Sequence, residues 1–187
     1  MQKLTETSQQ TLAPIAANQL IFIDETGANL NLAPPYGWAP SPERAYDQKP
    51  TAKGQRVNTI GALSQQGITA ALIFEGTLTT AVFLQFLLEC FMPVLTKDNV
   101  VIMDNATPHK AKAIREVLAA KGIRAVFLPP YSPQLNPIEM GWSKVKQLLR
   151  RWRPRTVEHL VGSFEQAVNS ISSFEAVNYF NAAGYCS

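Results

Sequence analysis

Three acidic residues stand where acids are costly. Asp24 ends the apolar run Leu20-Ile21-Phe22-Ile23, and Asp104 ends a second, Val100-Val101-Ile102-Met103. An ionised carboxylate against an apolar core is unfavourable unless paired, and two placed together force one to take up a proton. A divalent cation relieves both penalties. Carboxylate oxygens without His or Cys partners select hard ions, Mg²⁺ or Mn²⁺, over zinc. Asp104 lies at the C-terminal end of its strand, where open α/β sheets place ligands, and the two aspartates converge if their strands are neighbours. A site for two ions needs a third carboxylate, and Glu139 is the candidate. Ile138, Trp142, Val145, Leu149 and Trp152 recur at spacings of four and three, a buried helical stripe. Glu139 lies roughly 100° from Ile138, at the border of that stripe. Each acid also has a structural reading. A strand-end Asp can cap the next turn, and Asn136-Pro137-Ile138-Glu139 fits a capping box with Pro at its first helical position.

These acids need elements to position them. Strand alternation puts Leu20, Phe22 and Asp24 on one face and Ile21, Ile23 and Glu25 on the other; Glu25 is assigned to supporting a sheet edge. The first strand is expected to end at Asp24, before a Pro- and Gly-rich loop from Gly27 to about Gly54. Trp38, in that loop's Tyr36-Gly37-Trp38-Ala39-Pro40 turn, is read as a loop anchor, with base stacking as the alternative. Arg56 to Leu63 and Ile68 to Phe74 form a hairpin. Thr79 to Leu95 has helical periodicity, Val100 to Met103 is a fully apolar central strand, and Lys110 to Lys121 is a helix stopped by Gly122. Ile123 to Leu128 is another strand. Helices follow from about Pro137 to Trp152, from Val157 to Ile171 and from Phe174 to Ala182. A hairpin combined with β-α-β crossovers makes this an α/β chain with a mixed sheet flanked by helices. Trp142 and Trp152 are assigned to the core, and His159 to a structural role.

At 187 residues, 46% hydrophobic and 17% charged, the chain can bury a core of its own. Residues 1–18 are read as a lead-in or linker and 19–187 as one catalytic unit. The net charge is only +3, but Lys144, Lys146, Arg150, Arg151, Arg153 and Arg155 gather six of 17 basic residues within twelve positions, with no acid among them. That run is either a solvated helix face or a phosphate-contacting stripe. Cys90 and Cys186 have no metal-ligand spacing, so a reducing cytoplasm is the default. No apolar run approaches the ~18 residues of a membrane span, and no membrane partner is expected.

Taken together, "IDETG" (Ile23–Gly27), "VVIMDNATPHK" (Val100–Lys110) and "LPPYSPQLNPIEMGWSKVKQLLR" (Leu128–Arg150) resemble the catalytic domain of DDE-type transposases, in the bacterial insertion-sequence branch of the mariner superfamily. The likeness runs from Leu20 to Cys186 and includes "YGWAP", "GAL" (Gly61–Leu63) and "GYC" (Gly184–Cys186). Positions 105 to 138, 34 residues, separate Asp104 from Glu139, as that family spaces its second and third acids. The resemblance implies a ribonuclease H-like fold, a five-stranded mixed sheet with its first three strands antiparallel. It implies that Asp24, Asp104 and Glu139 are catalytic and hold two Mg²⁺ (or Mn²⁺) ions. The reaction implied is DNA strand cleavage by water, then strand transfer by the freed 3′-hydroxyl, both in-line displacements at phosphorus. The implied partners are double-stranded DNA, as element ends and target, and a second copy in an active homodimer. Asn105, His109, Lys144, Lys146, Arg150, Arg151 and Arg153 are the DNA-binding candidates. Transposases of this kind carry helix-turn-helix modules ahead of the catalytic domain. Only about 18 residues precede the first strand here, so end recognition is not expected of this chain alone. The alternatives are another nuclease on the same fold and a non-catalytic DNA-binding relic or regulator.

Overall fold

The computed structural model describes residues 14–46, 54–104, 112–130 and 132–185. Five strands form one sheet: β1 (Leu20–Asn29), β2 (Arg56–Ser64), β3 (Gly67–Glu75), β4 (Val100–Met103) and β5 (Arg124–Phe127). Their order is β3-β2-β1-β4-β5, with β1 in the middle. β1 pairs antiparallel with β2, and β2 with β3, while β1–β4 and β4–β5 are parallel. The sheet is mixed, with its first three strands antiparallel, as expected.

Helices cover both faces, which is why β4 is buried at all four positions. On one face Ile21, Ile23, Val101 and Met103 meet helix α1 (Thr80–Gln85), its continuation through a π-helical segment (Phe86–Phe91), and α2 (Lys112–Ala120). Thr79 caps α1 by accepting from the Val82 amide. On the other face Leu20, Phe22 and Ile102 meet α3 (Ile138–Trp152), α4 (Val157–Asn169) and α5 (Ser173–Ala182). Among the described residues no helix is long and apolar enough to cross a membrane.

Several expectations are corrected. β1 does not stop at Asp24. Its ladder with β2 runs on through Asn29↔Arg56, because a paired partner strand satisfies the backbone whatever the local propensity. β1 is therefore central, and Glu25, opposite Ile60, supports no edge. The α3 stripe is buried at Ile138, Trp142, Val145 and Leu149, but Trp152, in the last turn, is 37% exposed. Trp38 is 99% exposed and anchors nothing. His159 is exposed on α4; its backbone amide, not its ring, bonds the capping Thr156 hydroxyl.

Candidate active site

The parallel register sets the two aspartates side by side. Ile23 lies opposite Met103, so Asp24 and Asp104 come next on adjacent strands. Strands so paired lie roughly 5 Å apart, and Asp24 shares its face with Leu20 and Phe22, the face that α3 covers. Asp24 is only 9% exposed, Asp104 is half-buried and Glu139 is exposed.

The electrostatics show that Asp24 feels the other two. Burial pushes the Asp24 carboxyl up to about 8, and the negative charges of Glu139, then Asp104 and Glu25, add to the rise; a hydrogen bond from the Glu25 backbone opposes it. An acid on α3, another on β4 and the strand neighbour all act on one buried carboxyl. The donor chemistry fits a hard divalent cation, because carboxylate oxygens suit such ions and a positive charge would stabilise the ionised form of Asp24. Among the described residues, no three carboxyl, imidazole or thiol groups stand as a ready-made ligand set.

The capping-box reading of Glu139 does not hold. The helix starts at Ile138 with no side-chain cap, and among the described residues buried Asn136 Oδ1 finds no hydrogen-bond partner. A Glu in the first turn still meets the positive end of the helix dipole.

Two positions that the sequence reading left without a physical role set the height and tilt of α3. Gly61 lies opposite Asp24 in the β1–β2 ladder. A Cβ at Gly61 would stand 2.7 Å from Cη2 of Trp142, so the absent side chain is the slot that seats α3 over Asp24. A glycine inside a strand is itself a signal of such close approach. The second position is Tyr185. Its hydroxyl donates to the Leu135 carbonyl at 2.9 Å, within the turn that leads into α3. Its ring meets Phe22 at 5.0 Å, two residues from Asp24.

The basic candidates separate. Lys144 faces α5, where its ammonium bonds both Glu175 carboxylate oxygens and caps α4 at the Ser170 carbonyl. Arg155 donates to the carbonyls of Leu30 and Leu32. Lys146 and Arg150 are half-buried and Arg151 is exposed; Arg153 caps α3 in the left-handed conformation, φ 53°. Helix geometry puts Glu139, Lys146 and Arg150 within about 20° of one line along α3. Asn105 and His109 lie outside the described residues.

Comparison with solved structures matches this architecture. A pre-cleavage Mos1 transpososome aligns over 97% of this chain and 56% of its own, at TM-score 0.78 and 15% identity. The Mos1 mariner paired-end complex with Mn gives the same values. The Mos1 transposase catalytic domain with Raltegravir and Mg aligns over 97% of this chain and 85% of its own, at TM-score 0.70 and 15% identity. The chain thus spans little more than half the length of the transposases in those complexes, and the shared fold is ribonuclease H-like. No curated protein sequence matches the chain. The sequence model of the DDE superfamily endonucleases matches residues 19–161, from the start of β1 into α4. That span takes in all three acids and the three elements that carry them, and the chain belongs to this family.

Proposed function

We propose that this chain is the catalytic domain of a transposase, cutting DNA at an element's ends and joining the freed 3′ end to target DNA. The observation that supports it most is the Asp24 carboxyl, driven up first by burial and then by the charges of Glu139 and Asp104, in a chain of this endonuclease family. Asp24, Asp104 and Glu139 are the proposed catalytic and metal-holding residues, for Mg²⁺ or Mn²⁺ and for two ions. Bound there, divalent cations supply the positive charge that an in-line displacement at an anionic phosphorus requires. The chain's own residues do the rest. Asp24 and Asp104, fixed by a ladder, hold two donors at a set spacing. Glu139 brings the third on a helix whose position Gly61 and Trp142 determine. Lys146 and Arg150, about 10 Å and 16 Å along α3 from Glu139, give backbone phosphates a track leading away from the acids. Arg151 and Arg153 extend that basic surface. Lys144 is left out, because its ammonium is committed to Glu175.

The partner proposed is double-stranded DNA, engaged by a homodimer so that two ends are held together. The compartment proposed is the reducing cytoplasm, in keeping with the free Cys90 thiol. Glu139→Gln is the test. It is isosteric and removes one charge, so Mg²⁺-dependent nicking and strand transfer of an end-bearing DNA should be lost while DNA affinity is kept. Cutting that survives this change would show the assignment of Glu139 to be wrong. Strand transfer that is absent from an otherwise active wild type would leave a nuclease without transposition.

A further inference from the structure

Between β1 and β2 the chain presents three large aromatic side chains to solvent. Tyr36 is 86%, Trp38 99% and Tyr46 87% exposed. A lone exposed aromatic is ordinary, but three within eleven residues form a patch of the kind that marks an interaction surface. The loop has shape. Gly37 packs so closely on Ala45 that a Cβ would stand 3.0 Å from that methyl, and Glu43 N donates to the Pro40 carbonyl at 2.7 Å. These close the loop on itself around a cleft of about 510 Å³, lined by Tyr36, Trp38, Pro40, Arg44, Tyr46 and Arg153. Its start is tied to the far end of α3, where Arg155 grips the carbonyls of Leu30 and Leu32.

The lining therefore joins π faces to guanidinium groups, and Glu43 is not part of it. That is the chemistry of unpaired nucleotides: bases stack on aromatic rings whatever their identity, and arginines meet the backbone phosphates. A paired duplex keeps its base faces hidden and cannot use the rings. The cleft also adjoins the end of the Lys146–Arg150 track, since Arg153 belongs to both the cleft wall and the basic run. The geometry points to this cleft as a binding site for single-stranded DNA, holding unstacked bases beside the nucleic acid that lies along α3. The inference rests on the proposed DNA-processing function and goes beyond it: the loop distinguishes frayed or single-stranded DNA from intact duplex.

The experiment is fluorescence anisotropy with labelled DNA, in EDTA so that no cutting intervenes. A blunt duplex is compared with the same duplex carrying a short oligothymidine overhang. The wild type should bind the overhang DNA more tightly. Trp38→Ala should lose roughly tenfold on the overhang DNA, as for the loss of one stacked base, and nothing on the blunt duplex. Trp38→Phe should keep most of the preference, and Arg44→Ala should weaken overhang binding and lower its salt dependence. Circular dichroism melting should be unchanged by the Trp38 substitutions, because the side chain is fully exposed. A wild type that binds both DNAs equally, or a Trp38→Ala that weakens both alike, would overturn the cleft assignment while leaving the proposed function standing. Absence of binding to either DNA would overturn both. If Trp38→Ala spares DNA binding but shifts the sedimentation of the protein, the cleft is a contact between copies and the inference fails.

Discussion

Asp24 keeps its carboxyl in the middle strand of the sheet, and the direction of its perturbation fixes how the metal-free protein responds to pH. Its folded pKa, about 8, lies above its ordinary value of 3.8. The folded state therefore holds this proton more tightly than the unfolded chain does. The stability it contributes is complete below about pH 4 and is lost as pH rises towards 8. Metal-free protein should become easier to denature by urea across that window. Asp24→Asn should flatten the dependence and raise stability at pH 8 by a few kcal/mol, while abolishing DNA cutting. Stability unchanged by that substitution would mean that water already reaches the carboxyl. Glu175 behaves in the opposite sense. Hydrogen bonds from Lys144 and from the Ser172 amide hold it down at about 2, so its contribution is present above about pH 4.5 and fades as pH falls towards 2. Lys144→Met should cost about 1 kcal/mol, the range of a partly exposed pair, weaken that acid-side dependence while the Ser172 bonds keep part of it, and leave the salt dependence of DNA binding unchanged. Arg150→Ala should instead lower the salt slope by about one unit.

At the scale of elements, the site depends on how closely α3 approaches the sheet. Gly61→Ala places a methyl 2.7 Å from the Trp142 ring, and overpacking of this kind costs typically 1–3 kcal/mol. The helix must lift or tilt, carrying Glu139 with it. The expected result is a moderate loss of melting temperature with a disproportionate loss of cutting rate, and Trp142→Phe in the same chain should restore part of both. If activity falls only in proportion to the folded fraction, α3 tolerates the methyl without moving. Much of this element level was legible in advance. The apolar runs at Leu20–Ile23 and Val100–Met103 and the four-three spacing on α3 are direct consequences of burial, so the strands and the helix face followed from them, while the pairing of β1 with β4 came only with the structure. The rest was decided by partners far away in sequence. β1 continues to Asn29 because β2 lies alongside it, although Gly27 and Asn29 are poor strand formers. Trp152 continues the stripe by spacing, but it is the last residue of α3 and lies outside the buried cluster that holds the rest of the stripe. Lys144 and Arg150 belong to one basic run, and only the position of α5 shows that Lys144 is engaged internally.

For the molecule as a whole, the residues nearest the C-terminus close over the strand that carries the first acid. Phe180 meets Phe22 edge-on at 5.3 Å and Tyr185 meets it tilted at 5.0 Å, and Tyr185 reaches the turn before α3. Tyr185→Phe keeps the ring and removes the hydroxyl. It should cost about 1 kcal/mol and loosen the approach to Glu139, seen as faster amide hydrogen exchange in residues 132–140 than elsewhere on α3. Exchange that quickens uniformly would assign the bond to global stability alone.

The same closure sets an order in time. Strand β1 waits for the side chains of Phe180 and Tyr185, which are made long after it. Until residues 180 to 185 leave the ribosome, the α3 face of β1 has no complete cover, and Leu20 and Phe22 remain open to other partners. Domains with such distant pairings fold late and slowly. The face of β1 that bears Asp24 therefore gains its full cover only after Phe180 and Tyr185 have been made.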